Sequence, residues 1–159
     1  MARDGSAFRR LVTRARTLIA LLALAAPLTA ARPGAGGAAG VTHIPGAEVA
    51  EAFRKGVPLL EVDGYKVHAS RRDGPGQAEV HEKDTDILYV LQGAATLVTG
   101  GRVEEAGRTA REEIRGPSIA GGVSRVVAAG DVVVVPAGVP HWFKDVRGPL
   151  TYYVVKVRS

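Results

Sequence analysis

The sequence predicts an all-β domain, a sandwich or jelly-roll barrel with one short helix ahead of it. Three observations lead there. From residue 58 on, about eight to ten short runs rich in Val, Ile, Leu, Tyr and Thr are each closed by Gly, Pro or Asp. Only one stretch, residues 47–55, carries helical spacing. A single short helix cannot enclose a core, so it has to pack against a sheet.

The 159 residues suffice for one domain, and none of them is cysteine. Disulfides, thiolate metal sites, a cysteine nucleophile and a lipoprotein attachment cysteine are therefore excluded. The net charge is +5, but it is unevenly spread. Arg3, Arg9, Arg10, Arg14 and Arg16 against Asp4 put +4 in residues 1–31 and leave +1 for the rest. A body so nearly neutral has no electrostatic footprint for a phosphate backbone, so nucleic acid is not an expected partner.

Residues 1–31 read as a signal peptide. Arginines come first, an uncharged apolar stretch fills residues 17–29, and Ala30 and Ala31 offer a small-residue cut. The apolar stretch falls short of the ~20 residues that span a bilayer, and Pro27 sits near its end. Cleavage leaves no stable membrane span and sends the protein to the periplasm or outside the cell. The alternative is a retained anchor over residues 17–31. Arg9-Arg10 raises twin-arginine export besides the general secretory route, although the flanking residues fit it poorly. Residues 32–40, rich in Gly and Ala, form a flexible linker, and a single folded domain occupies residues 41–159.

The helix at 47–55 has Val49, Ala52 and Phe53 on one face and stops at Gly56. Strands follow at 59–62, 65–70 and 77–81, broken by Asp63-Gly64 and by residues 73–76. Runs at 87–91 and 94–99 flank Gln92-Gly93 as a hairpin would. Residues 102–122, rich in Arg, Glu and Gly, read as an excursion, a lid or mobile loop with at most a helical turn at 104–114. Strands resume at 124–128, 131–135, 141–146 and 151–157. Val132 to Val135 is apolar without alternation, which predicts burial on both faces and fits a partly covered outer surface, as in a homodimer.

Glu79 and His81 differ by two positions, so in a strand they point the same way. Asp86 opens the next strand, and a turn at 82–85 can bring it opposite them. His141 follows the rigid Pro136-Ala-Gly-Val-Pro140 turn. Two imidazoles and two carboxylates make a nitrogen and oxygen donor set suited to a divalent metal ion, Fe, Mn, Ni, Co or Zn.

These two stretches resemble the motifs of the cupin superfamily. Its first motif runs G-x5-H-x-H-x3 or x4-E-x6-G, and Glu79-x-His81-x4-Asp86-x6-Gly93 keeps that spacing. Its second runs G-x5-P-x-G-x2-H-x3-N, and Gly130, Pro136, Gly138 and His141 match it, with Asp145 at the asparagine. Glu79 stands at the first histidine, Asp86 at the glutamate, and the opening glycine is displaced to Gly74. The resemblance implies a double-stranded β-helix, the cupin jelly-roll barrel, commonly dimeric. It also implies metal ligands at Glu79, His81, Asp86 and His141, with Glu79 a direct ligand or one step removed.

His68, Gln92 and Phe143 are candidates to line the pocket. His68 shares a strand face with Lys66 and Ser70. Phe143, like Tyr89, Trp142 and Tyr152, serves as core or dimer contact in the plainer reading. Arg108, Arg111 and Arg115 belong either to an anion clamp on a lid or to a mixed-charge exposed loop. The expected function is an exported metal-binding cupin, an enzyme acting on a small oxygenated metabolite as a dioxygenase, isomerase or lyase. The alternative is a non-catalytic module that binds a sugar-like or acidic small molecule.

Overall fold

The computed structural model describes residues 40–159. The signal peptide expected at 1–31 and the linker at 32–40, Gly40 apart, lie outside the described residues. Eleven strands and one helix follow one another there.

Helix α1 (Gly46–Lys55) ends where expected. Gly56 adopts φ 64° and donates its N–H to the Ala52 carbonyl at 2.8 Å, a left-handed stop that glycine takes without strain. Ala52 is buried, and Phe53 packs edge-on against Tyr153 with ring centroids 4.9 Å apart. The helix thus covers the outer face of the sheet it could not do without.

Strands β1 (Pro58–Val62) and β2 (Tyr65–Arg72) form a hairpin about Gly64. β3 (Ala78–His81) and β4 (Asp84–Thr99) follow. Gln92-Gly93 is not a hairpin. β4 runs straight through it, with Gly93 at φ 82° as a bend, and pairs on both sides of the bend with β11 (His141–Arg158). β11 is likewise continuous across Gly148-Pro149, with register shifts between Arg147 and Tyr152. The two bends nest together: a β-carbon on Gly93 would collide with the Pro149 carbonyl. A turn residue thus became a bulge, because the neighbouring strand bends at the same level.

Residues 102–122 also differ from expectation. They hold no helical turn but four short strands, β5 (Arg102–Val103), β6 (Gly107–Ala110), β7 (Glu113–Gly116) and β8 (Ile119–Ala120). β6 and β7 form a hairpin, and β7 pairs with β3, setting Glu113 opposite His81 and Arg115 opposite Glu79. β5 pairs with β8. β9 (Val123–Ala128) and β10 (Val132–Val135) pair with the two ends of β4.

The antiparallel sheet curls around one main core of Leu88, Val90, Leu97, Phe143, Leu150 and Tyr152 with their neighbours. A smaller cluster of Ala78, Val80 and Val103 lies against Ile114, Ile119 and Trp142. Register explains the interior. Tyr152, Val154 and Lys156 of β11 lie between Ser70, His68 and Lys66 of β2 and Val90, Leu88 and Asp86 of β4. Side chains directly opposite share a face, so this surface turns from apolar to charged at Lys156 and Asp86. β10 corrects the expectation of two buried faces: Val135 is buried, but Val132 and Val134 are 62% and 57% exposed.

Candidate metal centre

Three strands deliver the polar cluster. β3 carries Glu79 and His81 on one face, β4 carries Asp86 as its third residue, and β11 opens with His141, which pairs with Glu79. The Pro136-to-Pro140 turn is tied to β3, since Gly138 N–H donates to the His81 carbonyl at 2.8 Å. That bond sets the distance between the two histidines, whose rings lie 5.2 Å apart.

Glu79, His81 and His141 each offer a donor atom within 4.8 Å of the other two. His81 and His141 are buried and Glu79 is half-buried. The His141 Nδ1 lies 3.2 Å from the Val139 carbonyl, which can only accept, so Nδ1 carries the proton. Its Nε2 then presents a lone pair toward Glu79 Oε1 at 3.6 Å and Asp86 Oδ2 at 3.8 Å. His81 turns Nε2 toward Asp86 at 3.6 Å and Nδ1 toward Glu113 at 3.8 Å. Burial lowers the His81 pKa, and nearby Lys156 lowers it further, against Asp86 and Glu79. A neutral imidazole with a free Nε2 is the form that binds a metal, so the donor set fits a divalent ion.

The carboxylates already have partners. Lys156 donates to both oxygens of Asp86 at 2.7 Å. Asp86 therefore sits beside both imidazoles but is held by an ammonium. Arg72 reaches Glu79 Oε1 at 3.4 Å and Arg115 reaches Oε2 at 3.1 Å. Arg115 also bonds Glu113 at 2.5 Å. Burial works to raise the Glu113 pKa, but the Arg115 hydrogen bond and charge hold it below the usual carboxylate range.

Of the pocket candidates, His68 faces inward and is partly buried, with Nδ1 3.1 Å from Ser70 Oγ. Burial and the charges of Lys66 and Lys156 lower its pKa. Phe143 is buried, tilted on Tyr152 at 5.3 Å, and carries the Arg72 guanidinium 5.0 Å above its ring. It forms the apolar floor beneath Arg72. Gln92 is exposed at the bend of β4, paired with Thr151. Lys156 also borders a cavity of about 150 Å³ with Lys66, Glu61 and Asp84, which none of the candidate metal donors lines.

Sequence reasoning missed Arg72 and Lys156 and read Arg115 and Glu113 as part of an excursion. A signal was present for Lys156. It stands in phase with the inward Tyr152 and Val154, where a charge needs a partner.

The family model described as Cupin matches residues 39–157. No curated protein matches the chain. Among solved structures, the Bacillus halodurans protein BH2720 aligns at 16% identity and TM-score 0.52, over 74% of this chain and 81% of its own. A candidate mannose-6-phosphate isomerase of Ralstonia eutropha JMP134 aligns at 22% identity and TM-score 0.45, over 65% of this chain and 83% of its own. The DMSP lyase DddQ from Ruegeria pomeroyi DSS-3 aligns at 16% identity and TM-score 0.41, over 60% and 39%. At 16% identity the likeness to BH2720 is one of fold.

Proposed function

The chain belongs to the cupin family, and from that premise we propose that it is an exported metal-binding enzyme acting on a small oxygenated metabolite. The observation that carries this reading is the convergence of Glu79, His81 and His141 within 4.8 Å. His81 and His141 would hold a divalent ion through Nε2, and Glu79 would hold it through its carboxylate. Asp86 stands ready as a further donor if Lys156 releases it. Such an ion supplies a Lewis acid that polarises an oxygen of a bound metabolite, as dioxygenase, isomerase or lyase chemistry requires.

The protein's own residues do the rest. The Val139 carbonyl fixes the His141 tautomer. Burial favours the neutral form of the His81 imidazole, and Phe143 with Tyr152 packs against Arg72, an ion-pair partner of Glu79. His68, partly buried and of lowered pKa, would exchange a proton through Ser70.

A second reading draws on the ion pairs of Asp86 and Glu79 with Lys156, Arg72 and Arg115. They leave the pocket electrically complete without a metal, as a non-catalytic binding module requires. Turnover of a bound metabolite separates enzyme from binder, and metal content by plasma mass spectrometry tests whether the site takes an ion. The full chain, purified without a histidine tag, is expected to carry close to one ion, and the His81→Ala/His141→Ala double variant none. No ion in either protein, and no rise in melting temperature with Fe(II), Mn, Ni, Co or Zn, overturns the metal reading. Export belongs to the same proposal and is checked by the mass of the mature protein, expected to start near residue 31 or 32.

A further inference from the structure

Charge bookkeeping around the cluster gives more than a metal site. Glu79, Glu113 and Asp86 bring three carboxylates. Arg72, Arg115 and Lys156 bring three cations, each within ion-pair distance of one of them. All six side chains are partly or largely buried, with exposures from 6% at Asp86 to 36% at Arg115. Water therefore screens them less than it would a surface network. Metal sites with two carboxylates ordinarily use them to cancel the ion's charge. Here the protein has cancelled them already.

We propose that Lys156, Arg72 and Arg115 act as fixed counter-cations, so that a loaded site keeps the ion's double positive charge and selects a small dianion over a neutral ligand of equal shape. This rests on the metal reading above. A divalent charge added to a neutral, half-buried cluster is costly unless something anionic accompanies it. An imidazole that binds a metal ion through a ring nitrogen is neutral and supplies no charge. The dianion must come from the ligand, and a short dicarboxylate has the charge and the size.

The consequence is a pair of opposite effects. Removing one counter-cation leaves one carboxylate uncancelled. The ion is then held more tightly, and the loaded site attracts a dianion less. A residue that merely props up the site would weaken both when removed.

The test uses Co(II) as the ion, with malonate and its neutral isostere malonamide as ligands. Co(II) affinity is read by competition with a chelating dye, and ligand binding by the visible spectrum of the Co(II) protein. The unaltered chain is expected to bind malonate at least about tenfold tighter than malonamide. Lys156→Met is expected to raise Co(II) affinity and lower malonate affinity, each by about tenfold. Arg115→Gln, on a different strand, should shift both the same way, which covers failure of the first variant to fold. Arg54→Met on the exposed face of α1 should change neither. Co(II) uptake without preference for malonate overturns this inference and leaves the metal reading standing. A joint fall of both affinities in Lys156→Met and Arg115→Gln also overturns it. No Co(II) uptake by the unaltered chain removes the metal reading itself.

Discussion

Asp86 and Lys156 are 70 residues apart in the chain, yet the two oxygens of one and the ammonium of the other meet at 2.7 Å. The donor types at this site were legible, because His81, His141, Glu79 and Asp86 stand at motif spacings. Their partners were not, since nothing local to Asp86 names Lys156. Glycine 93 shows the same divide. Its turn chemistry is visible in the sequence, but its collision partner, Pro149, is not. Gly93→Ala is expected to cost about 2 kcal/mol or more, because φ 82° disfavours a β-carbon and the Pro149 carbonyl fills the space. Urea unfolding checks this, and an unchanged midpoint refutes it.

At the scale of elements, the β6–β7 hairpin is the part the sequence misplaced. Its alternation is short and its residues are polar, so no period stands out. What makes β7 a strand is pairing with β3, which lies more than thirty residues earlier. Two substitutions separate what holds it. Val80→Ala, in the small cluster between β3 and the hairpin, should destabilise by about 2 kcal/mol. Arg108→Ala removes an exposed double contact to Glu82 and should leave the melting temperature within error. Equal losses from both would mean that rim charges, not packing, seat the hairpin. The helix, by contrast, was legible to its last residue, because spacing and a glycine stop are local signals.

The whole molecule responds to acid through its buried histidines. His81 and His68 both titrate below the ordinary 6.5, chiefly because burial disfavours the charged ring. The unfolded chain binds those protons more readily, so this stability is present above about pH 6.5 and is lost as pH falls below it. Glu113, held below its usual value, acts in the same direction at lower pH. Metal-free protein should therefore melt at steadily lower temperature from pH 7 to pH 5, followed by Trp142 fluorescence. A constant melting temperature over that interval contradicts it. The outer face of β4 and β10 bears Ile87, Tyr89, Leu91, Val132 and Val134, all more than a third exposed. We propose it as the contact face of a homodimer. Val132→Glu/Val134→Glu is expected to give a monomer in sedimentation, and an unchanged mass would place any dimer contact elsewhere.

The sequence by itself determined the all-β class, the one helix among the described residues, the paired motifs and the candidate donor residues. Those follow from residue type, period two and turn chemistry, which act over a few positions. The tertiary structure decided that β4 and β11 run unbroken, that Gln92 is exposed at the bend and that Val132 and Val134 of β10 lie outside the core of the single chain. It also decided that three cations close on the carboxylates. Such outcomes depend on the register between strands distant in the chain, and register is set only when the whole sheet curls around its core.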